Sequence, residues 1–370
     1  MKKVFLIAAA VVALAACSKN EVLPSSSINN EISFNVAPRT KALAADQRDF
    51  GKDNHFISYA YFLTNNETWP AKAGSIYIDG AEVKSTVDAT ATGGRVWKAA
   101  NSYYWPKSDK SSLTFFAWSK NTNECVLGGG ATVSCDPQKG IAFTDYDVTS
   151  NKNVDLLVAD VAANKTKNEQ VYTYSGVPTL FRHKLSYVIF KVKTKEAYAG
   201  KGKEFALKSI KFVDLGSKAS YDQKANEGTA TAYNTVGEWA APTATADQVY
   251  FNAITPVVFT NTDFVLETEA AAKTSVDQKY YLPQALSAVA APGASVAGSI
   301  EVVYTIKTTE GGSVSTETVT RYISAKSMFT DDLKINKMYT CTLTFSLDEI
   351  TWDPAVQDWD NVTAADITIK

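Results

Sequence analysis

The amino-acid sequence predicts an all-β protein. Apolar residues recur mostly at a spacing of two, which is the period of a strand with one buried face. No long segment shows the 3.6-residue period of an amphipathic helix. Aromatic residues make up 11% of the chain, with 18 tyrosines and 7 tryptophans against 3 methionines. Sheets favour this composition, because aromatic side chains pack well on a pleated surface.

The clearest strands, in chain order, cover residues 32–36, 187–193 and 339–345. Residues 302–306 and 319–323 surround Gly311 and Gly312. Glycine adopts the positive φ that a tight hairpin turn requires. We therefore expect a β-hairpin with its turn at these two glycines.

The length of 370 residues is sufficient for two domains. A polar segment over residues 160–173 is followed, from Leu180, by β-branched and aromatic sequence. We place the boundary near Gly176, which predicts an N-terminal domain of residues 40–175 and a C-terminal domain of 176–370. Residues 219–247, rich in Ala, Thr, Asn and Gly, predict a long surface connection inside the second domain.

Residues 1–16 predict a lipoprotein signal peptide. Lys2 and Lys3 precede an apolar run, and the sequence Leu-Ala-Ala then comes directly before Cys17. The run is about a dozen residues long, shorter than the roughly 20 that a membrane-spanning helix needs. Leu-Ala-Ala-Cys is the pattern at which the thiol receives a diacylglycerol and the chain is cut, so we predict lipidation of Cys17. The alternative is a buried or disulfide-bonded cysteine, but residues 18–30 are too polar to bury it.

Charge and histidine content argue against several classes of function. Loss of residues 1–16 removes Lys2 and Lys3 and changes the net charge from −2 to −4. A mildly acidic chain without a basic block does not suit a nucleic-acid partner. His55 and His183 are the only histidines, which disfavours a catalytic triad or a multi-histidine zinc site. We predict no enzymatic activity, cofactor or metal, and interpret His183 as a hydrogen-bonded residue at a strand end.

The remaining cysteines have different expected roles. Cys125 and Cys135 flank a glycine-rich segment that could close on itself, and export would permit oxidation. We predict a local disulfide there; the alternative is two free thiols. Cys341 lies in an alternating strand pattern and is expected to be a buried, inert thiol.

Five aromatic residues allow two interpretations. They are Trp97, Tyr103, Tyr104, Trp105 and Trp118. Exposed together, they would form a platform for carbohydrate. Packing in the core or at an interface is the commoner use of such side chains, since each one buries a large area.

These aromatic residues also carry a resemblance to a known family. Trp97, the segment Tyr-Tyr-Trp-Pro at 103–106 and the strand pattern at 113–118 resemble the signature of fimbrillin-like proteins of Bacteroidales, with Trp118 where that family often has tyrosine. Further family motifs follow in the expected order, at residues 155–159, 181–185, 282–284, 336–337 and 350–359. The resemblance therefore spans nearly the whole mature chain.

The resemblance implies a subunit of a surface fimbria, the type V pilus. It implies two tandem transthyretin-like β-sandwich domains, antiparallel and of Greek-key type. A lipid-anchored precursor in the outer membrane would have residues 17–39 as its propeptide. A protease would cut after Arg39, and the subunits would polymerise outside the cell by strand exchange.

Strand exchange would remove the first strand, with the apolar side chains of Ile32, Phe34 and Val36. Loss of an edge strand leaves an apolar groove with unpaired backbone groups, which a neighbour's segment can fill. Ile367 and Ile369 alternate with polar residues and make the C-terminal segment a candidate donor. That segment could instead be the terminal strand of its own sheet.

The expected partners are other pilus subunits, the outer membrane through the lipid anchor, and a ligand on a host or bacterial surface. Two alternative functions remain from the sequence. One is a monomeric outer-membrane lipoprotein that binds glycans through its aromatic residues. The other is a pilus anchor subunit.

Overall fold

The structure is a computed structural model that describes residues 30–36, 50–87, 95–167, 176–227, 233–266, 276–287, 295–329 and 332–359. The strands within these ranges are β1 (Phe34–Val36), β2 (Phe56–Leu63), β3 (Ser75–Val87), β4 (Arg95–Ala99), β5 (Ser112–Ser119), β6 (Thr132–Asp136), β7 (Gly140–Asp147), β8 (Leu157–Ala159), β9 (Ala162–Lys165), β10 (Val177–Thr179), β11 (Phe181–His183), β12 (Ser186–Thr194), β13 (Lys203–Asp222), β14 (Glu238–Trp239), β15 (Ala244–Phe259), β16 (Phe264–Val265), β17 (Tyr280–Tyr281), β18 (Ser299–Glu310), β19 (Ser313–Ser324), β20 (Lys337–Phe345) and β21 (Ile350–Asp358). Helical structure in these ranges includes a 3₁₀ turn (Ala199–Lys201) and the short helix α1 (Ala325–Met328). The prediction of an all-β fold is confirmed.

The first half of the molecule, residues 30–183, is built on a nine-stranded sheet. Its strands follow the order β10-β1-β4-β3-β2-β5-β8-β11, with β9 also paired to β5. The two ends of this order, β10 and β11, are separated in the chain by Leu180 alone. The sheet therefore returns on itself and surrounds a core that contains Phe34, Phe56 and Phe115.

Strand β5 shows why this half needs a second layer. All eight of its residues are buried. Leu113, Phe115 and Ala117 belong to the enclosed core, whereas Phe116 and Trp118 point to the opposite face and pack in a second cluster. Because successive side chains alternate across a strand, both faces of β5 must be covered. Residues of β7 and β13 in the second cluster cover the outer face.

The second half, residues 184–359, is a sandwich of two sheets. One has the order β16-β12-β20-β21, with β17 also paired to β12. The other has the order β19-β18-β13-β7-β6, with β14 and β15 also paired to β13, and its strands β6 and β7 come from the first half. The inner side chains of β12, β20, β13 and β18 form one continuous core.

Strand β13 joins the two halves. Its residues 203–212 pair with β18 of the second half, and its residues 218–222 pair with β7 of the first. The prediction of a surface connection over 219–247 is wrong at both ends, because residues 219–222 continue β13 and residues 244–247 begin β15. The boundary near Gly176 and the domain ranges built on it stay predictions.

The prediction of antiparallel sheets is wrong for two pairs, since β1 pairs with β10 and β12 with β20 in parallel. In both pairs the partners are far apart in sequence, which leaves no turn signal to read. The hairpin prediction is confirmed. Glu310 pairs with Ser313, and Gly311 and Gly312 have φ of 56° and 82°, the positive values that a two-residue turn requires. No helix within the described ranges is long and apolar enough to cross a bilayer.

Candidate functional site: a strand slot in the first half

The candidate site is the place occupied by β1 in the first sheet. We call it the β1 slot: it lies between residues 97–105 on one side and residues 176–179 on the other, over Phe56 and Phe115. Strand β1 pairs with β4 through Phe34 and Trp97 in antiparallel fashion. It pairs with β10 in parallel, with Phe34 opposite Val177. The expectation of an edge strand is therefore wrong, because the chain returns at β10 and covers the side that the sequence pattern left open.

The apolar side chains of this segment point into the enclosed core. Ile32 and Phe34 are each 3% exposed, whereas Val36 is half-buried. The ring of Phe34 meets Phe56 edge-on at 5.4 Å and Phe115 at 5.9 Å between centroids. Full burial of such a side chain contributes about 1.5–3 kcal/mol. Two side chains, rather than a longer alternating set, therefore supply most of the apolar attachment.

Backbone hydrogen bonds line both walls of the slot. The amide of Ile32 donates to the carbonyl of Tyr103 at 2.7 Å, and the amide of Trp105 donates to Asn30 at 2.7 Å. On the other wall, the amide of Val177 donates to the carbonyl of Ser33 at 2.7 Å. Pro178 lies opposite Asn35 and has no amide proton to donate. Because the amides of successive strand residues point to opposite sides, it is Val177 that donates towards β1, and the missing amide of Pro178 lies on the side of β10 away from β1.

Gly176 allows the backbone of β1 to pass close by. Its φ is +80°, and a Cβ built there would lie 2.7 Å from the carbonyl carbon and oxygen of Ser33. Both the conformation and the contact require glycine. In the sequence Gly176 marks only a boundary, and its role in the slot follows from the tertiary structure.

An ion pair holds the beginning of the segment. Lys98 Nζ donates to Glu31 Oε2 at 2.6 Å, and Ser102 Oγ donates to Glu31 Oε1 at 2.6 Å. The side chains of Lys98 and Glu31 are 26% and 17% exposed. We call this group the Glu31 clip. A single acidic residue before an apolar strand gave no signal by which sequence reasoning could find it.

Several predicted site residues lie outside the described ranges. They are Cys17, Arg39, Ile367 and Ile369. Of the predicted site residues within the ranges, Ile32, Phe34 and Val36 come together in the β1 slot.

The predicted disulfide between Cys125 and Cys135 is not formed, and both are free thiols. The hydroxyl of Tyr61 donates to the carbonyl of Cys135 at 2.6 Å, whereas Cys125 lies near Glu82. The two residues thus have different neighbours, Tyr61 of β2 and Glu82 of β3. Burial raises the pKa of the Cys125 thiol to about 12. Cys341 is fully buried, as predicted, and burial likewise raises its pKa to about 12.

The five aromatic residues do not form one exposed platform. Trp118 is 3% exposed and Tyr104 is 54% exposed. Trp97, Tyr103 and Trp105 are half-buried against the enclosed core. Four of the five therefore serve mainly in packing, and the walls of the β1 slot contain three of those four.

His183 is buried at the end of β11. Its Nδ1 lies 2.6 Å from Asp155 Oδ1, and its ring stacks on Trp359 with 3.6 Å between centroids. The prediction of a hydrogen-bonded histidine at a strand end is confirmed. Among the described residues, no group of three or more His, Cys, Asp and Glu side chains is placed to hold a metal ion.

The fold defines a class of all-β proteins in which a short strand, β1, is inserted between two other strands of a sheet. A family model described as fimbrillin-like matches residues 44–359. The chain therefore belongs to the fimbrillin-like family, as the sequence resemblance indicated. The match begins after β1, which lies outside it.

Solved structures of fimbrial and adhesion proteins resemble the chain to different degrees. A fimbrial protein from Bacteroides vulgatus shares the fold, with 18% identity and a TM-score of 0.60, over 90% of this chain and 100% of that chain. A candidate cell adhesion protein from Bacteroides uniformis has 16% identity and a TM-score of 0.45, over 89% and 99%. The tip fimbrial protein Mfa3 from Porphyromonas gingivalis has 11% identity and a TM-score of 0.35, over 89% and 100%. None of the curated proteins matches the chain in sequence.

Proposed function

We propose that this protein is an adhesive or structural subunit of a type V fimbria that polymerises by exchange of β1. The observation that carries the proposal is the construction of the β1 slot. A three-residue strand is inserted between β4 and β10, and its neighbours pair with other strands on their far sides or continue into β11. Removal of β1 would therefore open a gap in the wall while the strands on both sides keep their other contacts.

The β1 slot is more stable when a strand fills it than when it is empty. Loss of β1 exposes the apolar floor at Phe56 and Phe115 and leaves backbone groups on both walls without partners. A strand from a second molecule would restore both, which is the physics of strand addition to a sheet. Burial of Ile32 and Phe34 provides several kcal/mol to the resident strand, so spontaneous exchange is slow. Cleavage of the chain next to β1 would release it.

The proposed sequence of events uses the predicted processing sites. Cys17 anchors the precursor to the outer membrane by its lipid. A protease then cuts after Arg39, three residues beyond β1, so that β1 is no longer connected to Phe50 and β2. The freed slot accepts the segment containing Ile367 and Ile369 from the next subunit.

N-terminal sequencing of two pools tests this proposal: protein from sheared surface filaments and protein from the membrane fraction. We expect filament protein to begin at Thr40 and membrane protein to retain an acylated Cys17. Arg39→Ala should keep the protein in the membrane pool, and Gly176→Ala should be cut normally but fail to accept a strand. An intact Cys17 in every pool would contradict polymerisation and favour an anchor or a monomeric lipoprotein.

One observation favours glycan binding as a second function. A cavity of about 560 Å³ lies beside the beginning of β13. Its lining includes Tyr198, Lys203, Glu204, Asn261 and Lys307, which offer hydrogen-bonding groups next to an apolar wall, as small-molecule sites do. A glycan array with the mature chain, and with Asn261→Ala as the matched variant, tests this function. Equal glycan binding by both proteins would exclude the cavity as the glycan-binding site.

A further inference from the structure

The Glu31 clip sits at one end of the β1 slot and belongs to the wall as much as to the strand. Lys98 and Ser102 are in or beside β4 and stay in place when β1 leaves. Their donors converge on one carboxylate at 2.6 Å each. Because Lys98 is 26% exposed, an empty slot would leave a half-buried ammonium without this partner. The slot thus presents two hydrogen-bond donors at a fixed position for a carboxylate, one residue ahead of the first buried side chain.

Such a position selects the register of an incoming strand. A slip by one residue would turn the apolar side chains out of the core. A slip by two residues would keep the apolar face inward and keep the backbone hydrogen bonds, but a segment with two apolar side chains would then fill only one of the two core positions. It would also move the carboxylate by about 6.6 Å, which is beyond hydrogen-bond reach of Lys98 and Ser102. The clip therefore adds to apolar burial in distinguishing these two registers.

The sequence contains a segment that matches these requirements. Residues 31–35 read Glu-Ile-Ser-Phe-Asn, and residues 366–370 read Asp-Ile-Thr-Ile-Lys. Both place an acid, an isoleucine, a small hydroxyl residue, a second apolar residue and a polar residue in the same order. Residues 349–352 read Glu-Ile-Thr-Trp, but Ile350 and Trp352 are already paired with β20 in β21.

We propose that Lys98 and Ser102 set the register of strand exchange, with Asp366 of a second copy in the place of Glu31. Ile367 and Ile369 then occupy the positions of Ile32 and Phe34. The incoming strand runs in the direction of β1, parallel to β10, because the opposite direction would bring the acid to the wrong end of the slot. This inference rests on the proposed function and specifies its partner strand.

Charge reversal tests the register with the full chain, cleaved after Arg39 by an arginine-specific protease. The readout is the rate of formation of SDS-resistant ladders. We expect Asp366→Lys and Lys98→Glu each to slow ladder formation at least about tenfold, the scale of a lost charge-assisted contact. The double variant should recover most of the wild-type rate. Lys370→Gln, a charge change in the same segment away from the clip, is the control and should leave the rate unchanged.

The Lys98→Glu variant separates register selection from simple attachment. Repulsion of Glu31 would loosen the resident strand, so a clip that serves only to hold β1 predicts faster ladders in this variant. Asp366→Asn provides a milder change that leaves the described structure untouched, and it should slow ladder formation in the same direction. Ladder formation at the wild-type rate by Asp366→Lys would overturn the proposal that the clip sets the register, while leaving the proposal of strand exchange intact. An absence of ladders from the cleaved wild-type chain would overturn both proposals.

Discussion

Each half of the molecule contains a pair of parallel strands, and the two pairs differ in length and in burial. In the first half, β1 and β10 are in register over three residue pairs, from Phe34 and Val177 onward. In the second half, β12 and β20 are in register over eight, from Tyr187 and Met338 onward. One residue of three is buried in β1, against six of nine in β12. The parallel pairing is therefore short in the first half and extensive in the second, as the proposed exchange of β1 requires.

The difference lies in burial and in connectivity. Val188, Phe190 and Val192 of β12 are all fully buried in the sandwich core, and β12 follows β11 after only two residues. The backbone of β1 instead faces Pro178 and passes Gly176. Both strands share parallel pairing, and they differ in the depth and the length of the contact.

The largest effect should come from the β12–β20 pair. Phe190→Ala removes a fully buried ring that contacts Tyr250, with 4.8 Å between centroids, and should lower the free energy of unfolding by about 3–5 kcal/mol. Urea denaturation followed by far-UV circular dichroism measures this loss. A change below about 1 kcal/mol would contradict the assignment of β12 as a permanent strand.

A smaller global effect is expected from Phe34→Ala, although it removes the same side chain. The ring is also buried, but under the proposed function β1 leaves the slot while the rest of the fold persists. We expect hydrogen exchange at residues 32–36 to accelerate by an amount equivalent to about 2–4 kcal/mol, while exchange in β12 and β20 is unchanged. An equal acceleration of hydrogen exchange in the β1–β10 pair and in the β12–β20 pair would show that β1 is an integral part of the fold. Val36→Ala, at a half-buried position, should show about half of the effect.

Gly176→Ala should also act on β1 alone. Alanine would adopt a strained positive φ, at about 1–2 kcal/mol, and its Cβ would overlap the backbone of Ser33. Gly130 also has a positive φ, of +76°, and a Cβ added there would have nothing within 4 Å. Gly130→Ala is therefore the matched control, which shows the strain without the overlap. We expect faster proteolysis of the 30–36 segment in Gly176→Ala than in Gly130→Ala. Equal rates would show that the close contact between Gly176 and Ser33 does not hold β1 in place.

The Glu31 clip should contribute about 1–2 kcal/mol to the attachment of β1, since a charge-assisted hydrogen bond at a partly buried site exceeds a surface ion pair. Glu31→Gln should accelerate hydrogen exchange at Ile32 accordingly. The control is Glu204→Gln, whose partner Lys307 lies at 3.7 Å with both side chains nearly half exposed. That control should change stability by less than about 0.5 kcal/mol.

The smallest effect on stability is expected at Asp332, which lies just before β20 of the β12–β20 pair. Lys326 holds the pKa of Asp332 below its ordinary value, helped by the amide of Leu286. A depressed folded-state pKa contributes stability above the ordinary carboxyl pKa and loses it as the pH falls through the folded value. Because Asp332 is 39% exposed, Asp332→Asn should cost only a few tenths of a kcal/mol at pH 7. The difference between variant and wild type should shrink as the pH falls below the ordinary carboxyl pKa towards the lower folded-state value, and a difference that stays constant over this fall would contradict this origin.

Much of the fold was predictable because alternation is a local property. The strands at 187–193 and 339–345 and the hairpin at Gly311 and Gly312 follow from spacing and turn residues alone. Residues 219–222 look like part of a connection in the sequence, because small and polar residues continue β13 past the core of its own half. The pairing of β13 with β7 supplies the missing partner. The two strands are more than 50 residues apart in the chain, so no short window of sequence contains both.

The sequence by itself determined the strand content, the family and the apolar side chains of the first strand. These features depend on residue type and on spacing within a short window. The tertiary structure decided that β1 is an inner strand, that Pro178 and Gly176 form one wall beside it, and that Lys98 and Ser102 meet Glu31. Each of these depends on a contact between residues 67 or more positions apart. Such contacts leave no local pattern, because parallel pairing and side-chain clips are specified by the path of the chain through space.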